Sequence, residues 1–127
     1  DDIEEYLRKY NDEFPESTEV YNELCKVFDF INLCNFNSKS RVWKKADLFT
    51  LIVELHRLII KEQIDLQADD ICSKLSTFYQ MVDNPDDKNH EFVKNYYKAT
   101  IQATNDRSSR ILRGSIIEKL LKNEFTV

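Results

Sequence analysis

The chain has 127 residues, of which 42% are hydrophobic, and its formal net charge is −5 at pH 7. This length suits one domain with a sizeable core, and this hydrophobic fraction excludes disorder over most of the chain. One glycine and two prolines leave few of the residues that β-hairpin turns require, so the sequence predicts an all-α fold. The chain begins at Asp1 and its only methionine is Met81, so we expect a piece of a larger protein.

Helical periodicity and helix-breaking residues divide the chain into six predicted helices. The breaks are Pro15, the polar loop 35–40, the connection 63–67 and the Asn-Pro-Asp-Asp turn at 84–87. The predicted helices are residues 2–13, 17 or 18 to about 34, about 46–61, 69 to the turn at 84, about 89–103, and 105 to about 123. Short connections favour antiparallel neighbours, so we expect an irregular bundle of about six helices in one domain, 1–127.

The fourth and fifth predicted helices each have an apolar face that should point to the core. At helical spacing, these faces contain Ile71, Leu75, Phe78, Tyr79 and Val82, and then Phe92, Val93, Tyr96, Tyr97, Thr100 and Ile101.

The segment 46–61 is the predicted centre of the bundle. Its polar residues share one narrow stripe: Asp47, Thr50, Glu54, Arg57 and Lys61. Nearly everything else from Leu48 to Ile60 is apolar, and a helix that is apolar on most sides should have neighbours on most sides. A membrane span needs roughly 20 apolar residues, so this shorter segment predicts a buried central helix and no membrane contact.

Acidic and basic residues are unevenly distributed along the chain. Residues 94–122 carry seven bases and two acids, whereas residues 1–40 carry ten acids and four bases, and residues 62–91 carry eight acids and two bases. Clustered cations can select anionic partners such as nucleic acid. They can equally be ordinary solvated residues of a terminal helix, and both interpretations stay open.

The last predicted helix carries three arginines at different positions around its axis. Its apolar arc consists of Leu112, Ile116, Ile117, Leu120 and Leu121. Arg113 falls inside this arc, Arg110 at its edge and Arg107 outside it. A buried arginine must be paired or must line a cleft, because a buried unpaired charge is too costly. Arg113 therefore either pairs with Asp47 or Glu54, or forms with Arg110 a pocket suited to phosphate.

A second basic group surrounds the only tryptophan. Arg41, Lys44 and Lys45 flank Trp43, and a basic-aromatic patch of this kind can stack bases and pair phosphates. The alternative is that Trp43 is a lid on the core in front of a buried helix.

Catalytic and metal-binding motifs are missing from the sequence. Cys25, Cys34 and Cys72 are odd in number and lack CxxC spacing, which predicts reduced thiols in the cytoplasm and no zinc site. His56 is expected to be a hydrogen-bonded core histidine. Gly114, the only glycine, excludes glycine-rich phosphate loops and should mark the close approach of another backbone. We expect no metal and no cofactor.

Two segments of the chain resemble a known family. They are WKKADLFT at 43–50, and YYKA at 96–99 followed by NDRSSR at 105–110 and Arg113. They resemble the C-terminal helical part of bacterial proteins with a ParB-like, GmrS-related N-terminal domain, an uncharacterised family linked to restriction of modified phage DNA. The resemblance covers roughly residues 40–120 of this chain. The positions that match the family's last helix are Asn105, Asp106, Arg107, Arg110 and Arg113.

The resemblance implies a non-catalytic module. The family's nuclease or nucleotide-hydrolysing chemistry belongs to the N-terminal domain, whose Asp-Gly-Gln-Gln-Arg-type motif does not occur here. The leading hypothesis is a helical module of a DNA-targeting defence protein that contacts DNA, or the catalytic domain, through its basic last helix. The alternative is a protein-interaction or structural domain without nucleic-acid contact; a free-standing enzyme is not expected. The candidate anion-binding residues are Lys94, Lys98, Asn105, Arg107, Arg110, Arg113, Arg41, Trp43, Lys44 and Lys45.

Overall fold

The computed structural model of this chain describes residues 5, 18–84, 86, 90–101 and 106–127. These residues form five α-helices and no β-strand, which confirms the predicted all-α class. The helices are α1 (Thr18–Cys34), α2 (Lys45–His56), α3 (Ala68–Asp83), α4 (Glu91–Ile101) and α5 (Arg107–Leu121). A short 3₁₀-helix, Arg41–Trp43, precedes α2, and a π-helix, Arg57–Lys61, continues it. Except for residue 5, the predicted helix 2–13 lies outside the described residues, and so does part of the turn at 84–87.

The helix ends follow local chemistry. The Asp106 side chain accepts a hydrogen bond from the backbone amide of Ser108 and thereby caps α5. The sequence places this cap at Asn105, outside the described residues, so the observed cap lies one residue later. Asn35 and Asn123 follow α1 and α5 with φ of 50° and 61°, the left-handed conformation that commonly ends helices. Of the described helices, none is both long and apolar enough for a membrane crossing.

The core is built from the apolar faces of α3, α4 and α5 and from one apolar face of α2 and the π-helix. All five inward residues predicted for α3 are buried. Phe78 packs edge-on against Tyr96 of α4, with 5.1 Å between ring centroids, and against Phe125 beyond α5 at 6.3 Å. Ile101 and Leu112, which the sequence places on packed faces, are instead 59% and 41% exposed. Ile101 is the last residue of α4 and Leu112 lies in the second turn of α5, and at both positions the neighbouring elements leave the side chain partly uncovered.

Helix α2 buries its polar stripe. Asp47, Thr50 and Glu54 are buried, whereas Phe49 and Val53 are 58% and 43% exposed. The predicted central position of this helix is therefore not confirmed. The reason is chemical: side chains from neighbouring segments bring hydrogen-bonding groups to the polar stripe, one apolar face of α2 packs into the core, and the face with Phe49 and Val53 is left open.

Contacts along α2, α4 and α5 fix their relative directions. Arg113 lies 3.5 Å from Thr50 Oγ1, and further along both helices Arg57 lies 2.6 Å from Glu118, so α2 and α5 run parallel. Arg113 also donates a hydrogen bond to the Ala99 carbonyl oxygen, near the end of α4. At the start of α4, the Phe92 ring lies under Lys119, near the end of α5. Helices α4 and α5 are therefore antiparallel. The starts of α2 and α5 and the end of α4 therefore lie at one end of the bundle.

A disulfide joins α1 to α3. Cys34, at the end of α1, is bonded to Cys72 in α3, with 4.9 Å between their Cα atoms, and Cys25 is a free thiol. The prediction that all three cysteines are reduced is wrong for this pair, because a separation of 38 residues along the chain says nothing about distance in space. Disulfides persist mainly in oxidising compartments, so the cysteines no longer support the predicted cytoplasmic location.

Candidate functional site

An open groove runs between α2 and α5. We call it the α2–α5 groove, and its volume is about 460 Å³. Its lining residues come only from the two helices and the π-helix that follows α2. They are Phe49, Thr50, Val53, Glu54, Arg57, Arg107, Arg110, Ile111, Gly114, Ser115 and Glu118.

The middle of the groove is apolar and exposed. Phe49 and Val53 are one helical turn apart on α2, and Ile111 faces them from α5, where it is 59% exposed. Large apolar side chains grouped on a surface favour a binding role over ordinary solvation. None of these three residues is among the binding residues predicted from the sequence. For Ile111 there was a signal, because it lies outside the apolar arc of its own helix.

The floor of the groove is made by Gly114 and the Glu54 carboxylate. A Cβ atom at position 114 would lie 2.8 Å from Glu54 Oε2, closer than side chains pack. The glycine therefore makes room for a carboxylate side chain, and the prediction that it admits another backbone is not supported. Burial of Glu54 raises the pKa of its carboxyl group, against the lowering influence of Arg57.

A network of ion pairs closes the groove at the end away from the start of α5. The Arg57 guanidinium contacts Glu54, Glu118 at 2.6 Å and Glu62 at 3.1 Å. Lys122 adds contacts to Glu118 at 3.2 Å and to Glu62 at 3.3 Å. The hydrogen bond from Arg57 is the main cause that lowers the pKa of Glu118. At this end two cations face three carboxylates, so both cations are neutralised and a formal charge of −1 remains.

The opposite end of the groove carries two cations without such neutralisation. Arg107 and Arg110 both line the groove and are exposed. Among the described residues, no carboxylate lies within 4.0 Å of either guanidinium. The groove thus has a positive end, an apolar middle and an end whose cations are already paired with carboxylates.

Two predicted anion-binding arginines lie inside the protein. Arg113 is 2% exposed and donates to the Ala99 carbonyl oxygen at 2.9 Å, with its Nε 3.5 Å from Thr50 Oγ1. Arg41 is 6% exposed and pairs with Asp47 at 3.3 Å and Asp83 at 2.9 Å. A guanidinium held in this way cannot reach a phosphate without breaking buried bonds. Arg41 and Arg113 are therefore not proposed as anion contacts, and Arg113 does not join Arg110 in lining the groove.

The carboxylates predicted as partners of Arg113 are engaged by other arginines. Asp47 forms an ion pair with Arg41 and accepts a hydrogen bond from the Tyr96 hydroxyl. Glu54 forms an ion pair with Arg57.

The remaining predicted residues are spread around the start of α2 and along α4. Trp43 is 40% exposed, donates from Nε1 to the Asn37 carbonyl oxygen at 3.0 Å and meets the Phe36 ring edge-on. It is thus neither fully buried as a core lid nor freely presented for stacking. Four of the other residues keep part of their surface open: Lys44, Lys45 and Lys98 are exposed, and Lys94 is half-buried. Asn105 lies outside the described residues.

No metal centre is found in the described part of the chain. No group of three or more histidine, cysteine, aspartate or glutamate side chains there could hold an ion. His56 is partly buried, and its Nε2 lies 2.9 Å from Glu23 Oε1 of α1, in line with a hydrogen-bonded structural histidine.

Comparisons with known proteins give no family for this chain: no protein-family model matches it, and neither does any curated protein or solved structure at a significant level. The resemblance to the GmrS-related family therefore stays a prediction.

Proposed function

We propose that this chain is a non-enzymatic binding module that holds a helical segment of a partner protein in the α2–α5 groove. The observation that carries the proposal is the exposure of Phe49, Val53 and Ile111 on facing helices. A groove between two helices with apolar residues one turn apart is the surface into which an amphipathic helix lays its apolar face. The partner segment would cover side chains that are otherwise in water.

This proposal is compatible with two of the functions expected from the sequence. It is the predicted protein-interaction domain, and it also allows the predicted contact with a catalytic domain of the same parent protein. In the second case the segment held in the groove belongs to that domain. A role in a restriction or defence system is supported only by the sequence resemblance.

A display library of helical peptides tests the proposed function. The purified full chain is the bait, and recovered clones are retested on the variant Ile111→Glu, which places a charge in the apolar middle of the groove. Lys61→Glu, an exposed change outside the groove lining, is the matched control. We expect clones that bind the wild type and the control but lose binding to Ile111→Glu. Recovery of clones that bind Ile111→Glu as well as they bind the wild type would overturn the proposal.

Nucleic-acid contact is a second candidate, favoured by exposed cations at one end of the bundle. Arg107 and Arg110 open α5, Lys44 and Lys45 open α2, and Lys98 lies near the end of α4. The starts of α2 and α5 add the positive ends of their dipoles there, partly offset by the negative end of α4. Phosphate contacts by these residues would make affinity fall steeply as salt rises.

Anisotropy of labelled duplex DNA, with and without modified cytosine, separates the two candidates. The chain is titrated at about 50 mM and about 200 mM salt, beside Arg107→Glu and the control Lys61→Glu. Binding that weakens with salt and is lost only in Arg107→Glu supports the nucleic-acid candidate. Absence of binding at the lower salt concentration excludes it.

A further inference from the structure

We infer that the partner segment is an acidic amphipathic helix, whose apolar face covers Phe49, Val53 and Ile111 and whose carboxylates bind Arg107 and Arg110. This inference rests on the proposed function and adds the chemistry of the partner. Its basis is the unequal distribution of neutralised and open charges along the groove.

Charge complementarity selects an acidic partner. Arg57, at the closed end, is already matched by Glu54 and Glu118, so a partner gains little charge compensation there. Arg107 and Arg110, at the open end, have no carboxylate within 4.0 Å among the described residues. Guanidinium groups bind carboxylates with paired hydrogen bonds, so two acidic side chains near one end of a docked helix would meet them.

The floor of the groove disfavours a phosphate backbone. Glu54 and Glu118 line the groove together with the apolar residues. A polyanion that binds Arg107 and Arg110 at one end and extends along the groove would bring its other charges next to these carboxylates. A helix that carries its negative charge at one end and apolar residues along the rest avoids this repulsion.

The dimensions of the groove suit a short helix. The α5 lining extends from Arg107 to Glu118, which at a helical rise of about 1.5 Å per residue is roughly 17 Å, or about three turns. Phe49 and Val53 form one ridge, and the small residue Ser115 lowers the opposite wall. A third helix can therefore approach closely, with apolar residues at i, i+4 and i+7 pointing inward.

Three synthetic peptides test the charge of the partner. Each has about 12 residues, the same leucines at i, i+4 and i+7, and a fluorescent label. Two positions near one end are glutamate, glutamine or lysine. Anisotropy titrations use the full chain, the variant Ile111→Glu, the double variant Arg107→Glu/Arg110→Glu and the control Lys61→Glu, each checked for folding by circular dichroism.

We expect the glutamate peptide to bind the wild type about tenfold more tightly than the glutamine peptide, as two partly exposed ion pairs can provide. The double variant should reverse the order and prefer the lysine peptide, whereas Lys61→Glu should keep the wild-type order. Equal affinities of the three peptides, with binding still lost in Ile111→Glu, would overturn the acidic partner and leave the proposed function standing. Binding that Ile111→Glu does not weaken, or no binding of any peptide, would overturn both.

Discussion

At the residue scale, the buried Asp47 carboxylate contacts two buried groups that come from other segments of the chain. It accepts a hydrogen bond of 2.6 Å from the Tyr96 hydroxyl and lies 3.3 Å from Arg41 Nε. Burial raises the pKa of Tyr96, so its hydroxyl stays protonated and can donate. The carboxylate thus ties the start of α2 to α4 and to the 3₁₀-helix.

Replacement of Asp47 by alanine should destabilise the protein by about 3 kcal/mol, because a buried arginine and a buried hydroxyl then lose a partner. Asp47→Asn is the matched control, since its amide oxygen can still accept from Tyr96, and we expect a smaller loss. The measurement is urea unfolding at neutral pH. A loss below about 1 kcal/mol for the alanine variant would show that this network does not hold α2 in place.

Gly114 offers a second prediction at this scale. Gly114→Ala alone should bring no stabilisation, because the new Cβ would lie 2.8 Å from Glu54 Oε2 and would displace that carboxylate from Arg57. In a Glu54→Ala background the obstacle is gone, and the same change should stabilise the helix by about 1 kcal/mol. Urea unfolding of the four proteins measures this coupling. An equal effect of Gly114→Ala in both backgrounds would contradict the close approach of Glu54.

Single residues also show what the sequence could predict and what it could not. The helical projection placed Arg113 on the packed side, and the structure buries it. The projection could not name its partners, because the Ala99 carbonyl is brought close only by the packing of α4 on α5. The cysteine pair was missed for the same reason: sequence spacing does not report which helices are neighbours.

At the scale of elements, Arg57 and Glu118 connect the π-helix to α5. The pKa of Glu118 is lowered, so the unfolded chain takes up its proton at a higher pH than the folded protein does. The stabilising effect of this carboxylate is therefore present above the pKa of Glu118 in the unfolded chain, about 4.3, and is lost as the pH falls through its lower pKa in the folded protein. The pKa of Glu54 is raised, so its effect on stability has the opposite pH dependence: stability is lost as the pH rises through the pKa of Glu54 in the folded protein.

Glu118→Gln should therefore cost up to about 1 kcal/mol at neutral pH, and this cost should shrink as the pH falls below about 4.3. Urea unfolding of wild type and variant at several pH values measures the difference. Asp29→Asn, an exposed change in the interior of α1, is the control, with no expected change. A difference that grows towards acid pH would mean that the Arg57 contact does not stabilise the ionised carboxylate.

The disulfide between α1 and α3 gives another prediction for the elements. It closes a loop of 38 residues, so reduction should lower the free energy of unfolding by about 4 kcal/mol in the chain-entropy description. Thermal or urea unfolding with and without reductant tests this, and Cys25→Ser, which removes the free thiol, should leave the reductant effect unchanged. Three titratable thiols in the unreduced protein would contradict the bond between Cys34 and Cys72.

Helix α2 shows why the type of an element is easier to predict than its surroundings. Its length and periodicity predicted a helix over about 46–61, and the structure has helical residues from Lys45 to Lys61. Almost every side of this helix is apolar in sequence, so periodicity could not tell which side would stay open. The choice depends on where α5 lies, and that placement leaves Phe49 and Val53 beside Ile111.

At the scale of the whole molecule, the parallel course of α2 and α5 gives the groove its polarity. Both helix starts lie at the positive end with Arg107 and Arg110, and the ion pairs of Arg57 lie at the other end. Had the two helices run antiparallel, the carboxylate Glu118 would lie near the start of α2. The fold therefore places open cations and exposed apolar residues on one continuous surface, which is the basis of the proposed binding role.

The most direct test is a methyl NMR titration of the full chain with the glutamate peptide. Val53 and Ile111 report the groove, Val20 of α1 reports another exposed surface, and Leu75 reports the core. We predict saturable shifts at Val53 and Ile111, with Val20 and Leu75 unchanged. Saturable shifts confined to Val20, or none at Val53 and Ile111 at concentrations that saturate the anisotropy, would contradict the assignment of the α2–α5 groove as the binding site.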